Sequence, residues 1–264
     1  MKKQEIEIIS DTEFKKSEYA LSNEFIRMPN RLSVQALQTF GLILSKIDWK
    51  KDNGDYINVK LPLKEVLKVC NSKSNNYEFY INFIEELQNK AWIRIVNENE
   101  YKRANLIPYS EVKNNIVSVD INNRLNDYIQ NLKSNYTVFK IANTAKFTSR
   151  FSYILYINLC SWNDHRIERE DALDERERYY TTKQLKEMFD LGELEYTHIE
   201  NGKPKFDRTI FEKRVIEKAV REINEYTNIM LKWWKEKDGK KVSKYVFWWV
   251  RKDGYNDALG IPNL

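Results

Sequence analysis

Residues 207–250 read DRTIFEKRVIEKAVREINEYTNIMLKWWKEKDGKKVSKYVFWWV, and this stretch decides the fold. At 100° per residue, Phe211, Val215, Ile216, Ala219, Val220 and Ile223 fall within one half of a helix. Lys213, Arg214, Glu217 and Arg221 fall on the other half, with Lys218 at its border. Asp207 stands where an N-cap is needed. The helical period stops near Thr227, and two aromatic-rich strands follow, joined by a turn around Asp238-Gly239. The spacing therefore predicts a helix with one apolar and one cationic face, then a hairpin tipped with Lys235, Lys237, Lys240 and Lys241.

Working back from Asp207, YYTTKQLKEMFD reads as a short strand and a helix that Thr182 would cap, and KFTSRFSYILYINLC as an apolar opening helix. The first half of the chain repeats this order. RLSVQALQTFGLILSKID is an opening helix with Ser33 as its cap. A strand ending near Pro62 leads into the short helix LPLKEVLKVC, which Pro62 starts. NSKSNNYEFYINFIEELQNK holds a second helix. AWIRIV and NNIVSVDI then read as strands on either side of one excursion carrying Lys102 and Arg103. Helix, strand, helix, helix, strand, wing, strand is the order of a winged helix.

The expected fold class is therefore α+β, with two tandem winged-helix domains in a pseudo-two-fold arrangement. Residues 1–135 form the first domain, opening with a loose polar arm over 1–19. Residues 136–253 form the second, and 254–264 a tail.

Charge is local rather than global. The 264 residues carry a formal net charge of only +5. From Asp164 to Glu200, twelve acids stand against six bases; from Asn201 to Asp253, fifteen bases stand against eight acids. The cationic excess thus coincides with the helix and hairpin, as a nucleic-acid face requires. On that face Arg208 and Arg214 are the candidates for reading bases, and Lys205, Lys213 and Lys218 for holding phosphates, with Arg221 alongside. Lys237, Lys240 and Lys241 would lie along the DNA backbone or dip into the minor groove. The same helix face also reads as a solvated surface laced by Lys213–Glu217 and Glu217–Arg221 pairs. Trp233, Trp234, Phe247, Trp248 and Trp249 read as a sheet face packed on the helices, with one or two left outside, rather than as a base-stacking platform. In the first domain Lys73 and Asn75 sit in a polar helix entry that serves either phosphates or an ordinary cap.

Other chemistries find little support. Cys70 and Cys160 form no CxxC and read as buried thiols of a reducing compartment; His165 and His198 offer no zinc spacing, and no metal or cofactor is expected. There is no His-x-His pair of a nickase and no GxxxxGK[ST] loop, so no enzymatic activity is expected. The opening MKKQEIEIIS lacks the apolar core of a secretory signal, and no run reaches a membrane span.

Three stretches resemble the initiator Rep proteins of theta-replicating plasmids: LSVQALQTFGLILSKID, FTSRFSYILYINLC with Arg150-Phe151-Ser152-Tyr153-Ile154-Leu155-Tyr156, and FEKRVIEKAVREINEYTNI with the KDGKKVSKYVFWWV hairpin. The resemblance covers roughly residues 20–252. It implies a bacterial cytoplasmic protein that binds direct repeats (iterons) of double-stranded DNA at a plasmid origin through both domains. It also implies that the protein promotes origin opening and recruits host replication proteins. A homodimer in equilibrium with the monomer, formed mainly through the first domain, would repress the initiator's own gene at an inverted repeat. The resemblance places most base reading on Arg208–Arg221 and adds Lys146 and Arg150 as phosphate contacts. The acid-rich run Asp164–Arg178 is longer than the usual connection. A transcriptional regulator built on the same tandem domains is the alternative.

Overall fold

The structure is a computed structural model that describes residues 11–70, 77–90, 92–97, 100–162 and 176–252. Lys73, Asn75, the tail and most of the acid-rich run lie outside the described residues.

The chain opens with α1 (Asp11–Lys16), β1 (Glu18–Ser22) and α2 (Asn23–Ile26). From Asp11 onward the expected loose arm is instead part of the fold. Phe14 packs on the core, Tyr19 is buried, and β1 pairs antiparallel with a strand from the middle of the chain, from Glu18↔Lys140 to Ser22↔Tyr136. A five-residue strand whose three central residues are all buried shows no alternation, so only its distant partner identifies it.

Next come α3 (Val34–Leu44), β2 (Ile57–Pro62), α4 (Leu63–Val69) and α5 (Tyr77–Asn89). Ser33 caps α3, its Oγ accepting from Ala36 N at 3.2 Å. The region expected to hold two strands around one excursion is two hairpins. β3 (Trp92–Asn97) pairs with β4 (Glu100–Asn105), and β5 (Tyr109–Lys113) with β6 (Ile116–Ile121). Asn114 and Asn115 make the second turn at φ 52° and 60°, the paired positive φ of a tight hairpin. The first domain's sheet is ordered β2-β6-β5.

The chain continues through α6 (Asn126–Ile129), β7 (Tyr136–Lys140), α7 (Ile141–Thr144) and α8 (Arg150–Cys160). It is β7, just past the expected boundary at 135, that pairs back to β1. Then follow β8 (Arg176–Tyr180), α9 (Thr182–Met188), the short hairpin β9 (Thr197–Glu200) and β10 (Lys203–Phe206), α10 (Arg208–Phe211), a π-helical segment (Glu212–Glu217) and α11 (Lys218–Tyr226). The closing strands β11 (Ile229–Asp238) and β12 (Lys241–Arg251) complete a sheet ordered β11-β12-β8. Thr181, not Thr182, caps α9. Its Oγ1 accepts from Gln184 N at 3.2 Å while Gln184 Oε1 accepts from Thr181 N at 2.8 Å, a reciprocal capping box.

The two halves repeat a specific clamp. A glutamate on the last long helix of each unit accepts hydrogen bonds from the start of that unit's opening helix. In the first, Glu86 of α5 accepts from Ser33 N at 3.1 Å and Ser33 Oγ at 2.6 Å. In the second, Glu222 of α11 accepts from Thr148 N at 3.2 Å, Thr148 Oγ1 at 2.6 Å and Ser149 N at 3.3 Å. Leu87 and Ile223, the next residues, are both fully buried. The shared geometry supports tandem copies better than the slight sequence identity does.

The opening helices α3 and α8 also pack on each other, which joins the halves. Gln38 Nε2 donates toward the carbonyls of Thr144, Ala145 and Phe147 at 3.0, 3.1 and 3.1 Å, and the Tyr19 and Tyr153 hydroxyls lie 2.6 Å apart. Gly41 leaves room for this pair: a Cβ would stand 3.0 Å from Tyr153 Oη and 3.1 Å from the Tyr19 ring, tight enough that one of the two rings would have to shift. Burial pushes the Cys70 thiol up to about 11 and the Cys160 thiol up to about 12, so both stay protonated.

Candidate nucleic-acid interface

The helix that begins at Arg208 is anchored by its inner face. Asp207 Oδ1 accepts from Ile210 N at 3.0 Å, as its capping position predicts. Phe211, Val215, Ile216, Ala219 and Ile223 are buried, and Val220 is half-buried. Two carboxylates, Glu212 and Glu222, share this inner face. Glu212 accepts from Lys235 Nζ at 2.6 Å and from the Tyr245 hydroxyl at 3.0 Å; Glu222 forms the clamp described above. Burial, then the adjacent Glu212 carboxylate, holds the Tyr245 phenol well above its usual pKa, so it remains a donor. Since Lys235 and Tyr245 belong to β11 and β12, Glu212 fastens the helix to the hairpin. The π-helical turns at 212–217 sit in the middle of this contact, and such widened turns recur at functional sites.

The outer face carries the cations that both sequence readings concern. Lys213, Arg214, Glu217 and Arg221 are exposed. Among the described residues Lys213, Arg214 and Arg221 form no ion pair, so the i,i+4 lacing does not occur. Three cations are thus presented without partners along one side of an anchored helix. The remaining candidates are more engaged. Lys218 is half-buried with Glu222 at 3.9 Å, and Lys205 contacts Glu200 at 2.5 Å. Arg208 is half-buried, with its Nε buried and unpaired.

A second projection stands before the helix, and the sequence reading missed it. β9 and β10 meet at Asn201-Gly202, with φ 50° and 73°, a type I′ hairpin turn. The Asn-Gly pair was the available signal. Phe206 at the end of β10 and Tyr196 before β9 pack on Phe211, with ring centroids at 5.3 and 5.8 Å. The hairpin is therefore seated against the helix start, with Lys203 and Lys205 on its second strand.

The β11–β12 hairpin runs from Ile229↔Arg251 at its base to Asp238↔Lys241 at its tip, with a bulge at Glu236/Lys237. Gly239 takes φ 57° in the turn, a conformation that side chains disfavour. Lys237, Lys240 and Lys241 are exposed, and among the described residues they form no ion pair. Phe247 and Trp249 are buried, Trp233 and Trp248 are half-buried, and Trp234 alone of the five is 41% exposed. The cluster is a packed sheet face, as expected, with one ring left outside.

Lys146 is exposed, 5.7 Å from the Tyr226 ring centroid. Arg150 is drawn inward instead: it donates from Nη1 to Asn30 O at 3.2 Å, and burial lowers its pKa. It braces the two domains rather than reaching outward. Lys102 and Arg103 lie on β4, opposite Ile95 and Arg94; their side chains are outside the described residues. Among the described residues, no group of three His, Cys, Asp or Glu side chains could hold a metal, and no helix is long and apolar enough to cross a membrane.

Comparison with known proteins agrees with this architecture. A family model described as "Initiator Replication protein, WH1" matches residues 18–160, and one described as "Initiator Rep protein, WH2" matches 181–249. No curated protein matches the sequence. Among solved structures, the Pi initiator protein in complex with iteron DNA superposes with a TM-score of 0.71 at 18% identity, over 90% of this chain and 98% of that one. A structure of domains 2 and 3 of RctB aligns over 93% and 95% with a TM-score of 0.44 at 11% identity.

Proposed function

The chain belongs to the initiator Rep protein family, with both of its winged-helix domains matched, and we propose on that premise that it starts plasmid replication by binding iterons at its origin. The observation that carries this reading is the row Lys213, Arg214 and Arg221: exposed, unpaired among the described residues, and fixed to a buried opposite face. A helix built so can enter a major groove without unfolding its own domain. The wing lysines extend the same charge to the flanking backbone. The Pi initiator, whose fold this chain shares, was crystallised on iteron DNA, which fits the assignment.

In this reading the protein has no catalytic step of its own. It works in the bacterial cytoplasm as a monomer on direct repeats, opens the origin and recruits host replication proteins. Its dimer represses its own gene at an inverted repeat.

The test is footprinting on the DNA flanking the gene, coupled to plasmid maintenance. Protection of tandem repeats about 20 base pairs long, near two helical turns, is expected, with plasmid loss when the gene is deleted. Protection of the promoter alone, with normal maintenance from an origin served by another initiator, would reassign the protein as a regulator.

Arg214→Ala checks the groove face itself. Loss of one bidentate base contact costs about 1–3 kcal/mol on the specific site, and selections with random DNA should show relaxed preference at one base position. Equal loss on specific and random DNA would make Arg214 a phosphate contact.

A further inference from the structure

A cavity of about 230 Å³ lies beside the contact between α3 and α8, where the two domains join. Its walls are apolar and come from both sides of that joint. Leu21 of β1, Leu37 and Phe40 of α3 and Leu106 line it from the first domain, and Ile154 and Ile157 of α8 from the second; all six are buried. The lining residues Pro29, Arg31, Lys90 and Asp190 are exposed and mark its mouth.

The polar groups around the cavity are already engaged with one another. The Tyr19 and Tyr153 hydroxyls in its wall pair at 2.6 Å, and Asn30 Oδ1 accepts from Leu32 N at 2.8 Å. Among the described residues, no lining side chain leaves a buried nitrogen or oxygen without a partner. Ordered water needs two to four such partners, so little here would hold it, and an apolar cavity of this kind stays dry. An apolar cavity of about 150 Å³ is large enough for benzene, and this one is about half as large again, room for a single ring with a short alkyl tail.

The mouth argues against a charged ligand. Arg31 is paired with Glu195 at 3.1 Å and Lys90 with Glu86 at 3.4 Å. Both cations thus have their carboxylates, and Asp190 adds a further negative charge. A charged head group drawn into the cavity would lose its hydration against apolar walls with no opposite charge set there to meet it.

We propose that this interdomain cavity is a binding site for a small uncharged apolar molecule, of the size of a ring bearing a two- or three-carbon tail. Filling it adds contacts to both α3 and α8 at once, so occupancy stabilises the joined arrangement of the domains. The site owes nothing to the cationic helix or the wing and does not depend on the DNA-binding reading.

The experiment is a titration of the full chain, free of DNA, followed by NMR of labelled isoleucine and leucine methyl groups. The probes are ethylbenzene and its charged analogues phenylpropionate and phenethylamine. Ethylbenzene should saturate with a dissociation constant below about 1 mM and shift the methyls of Leu37, Ile154 and Ile157, with both charged analogues at least about tenfold weaker. Ile157→Phe fills the cavity and should weaken ethylbenzene binding at least about tenfold, with a cooperative melting transition showing that the variant folds. Ile154→Ala enlarges the cavity instead, and butylbenzene should bind that variant more tightly than it binds the native chain, a test that stands whether or not Ile157→Phe folds. The site is overturned if ethylbenzene fails to saturate up to its solubility limit, or if the shifted methyls lie elsewhere. It is likewise overturned if a folded Ile157→Phe binds as the native chain does, or if Ile154→Ala gains nothing with butylbenzene. Binding of phenylpropionate or phenethylamine as tight as that of ethylbenzene would overturn the uncharged class.

Discussion

Replacing Lys237, Lys240 and Lys241 together with Gln should make DNA binding markedly less sensitive to salt. Each phosphate neutralised on a duplex contributes a slope of about −0.9 to log K against log salt, so removing three such lysines flattens the slope by about 2.7. Between 50 and 200 mM salt, the native protein should therefore lose about 40-fold more affinity than the variant. Fluorescence anisotropy on an iteron duplex over that range measures it. The fold should be unaffected, because all three side chains are exposed at the hairpin tip and form no ion pair among the described residues. The hairpin also keeps its orientation, since Glu212 still holds Lys235 and Tyr245. A slope identical to that of the native protein would place the wing off the DNA. A loss of affinity at all salt concentrations with no change in slope would mean that the tip orders the hairpin rather than meeting phosphate.

What the sequence revealed about this fold depended on how local each signal was. Ser33 and Asp207 were readable as caps because the groups they satisfy lie within three residues. The tip of the wing was readable because Asp-Gly marks a turn between aromatic runs. Strand β1 was not, because its partner β7 lies far along the chain and its buried centre shows no alternation. The threonine pair at 181–182 shows the limit of resolution in such readings: either residue suits a cap, and only the bond from Gln184 decides. At the candidate interface, the positions of Lys213, Arg214 and Arg221 on one face followed from periodicity alone. Whether they were paired with Glu217 did not, since rotamers on an exposed face are not encoded in spacing. The inward turn of Arg150 was equally hidden, because Asn30, its acceptor, belongs to the other domain.

Glu222→Ala should be among the most damaging single changes in the second domain. At 100° per residue Glu222 falls between Phe211 and Val215 on the apolar half of its helix, and it is only 4% exposed. Its two oxygens satisfy the Thr148 and Ser149 amides and the Thr148 hydroxyl, so truncation leaves three donors with no acceptor in a part-buried to buried setting. Stranding such groups costs about 3 kcal/mol, which for a domain assembly of this size lowers the melting temperature by roughly 6–12 °C. Thermal unfolding followed by circular dichroism measures it. Glu86→Ala removes the equivalent clamp from the first domain, but that side chain is 13% exposed and, besides an ion pair with the exposed Lys90 at 3.4 Å, it serves only Ser33 among the described residues. Water can replace part of what is lost there, so a penalty of about 1–2 kcal/mol is expected. The order of the two effects is the sharper criterion, because it follows from burial and donor count rather than from chemistry, which is the same in both. Equal penalties would mean that the clamp is a shared inheritance of the two repeats without a graded structural role. A larger loss for Glu86 would place the weaker hinge of the molecule in the first domain.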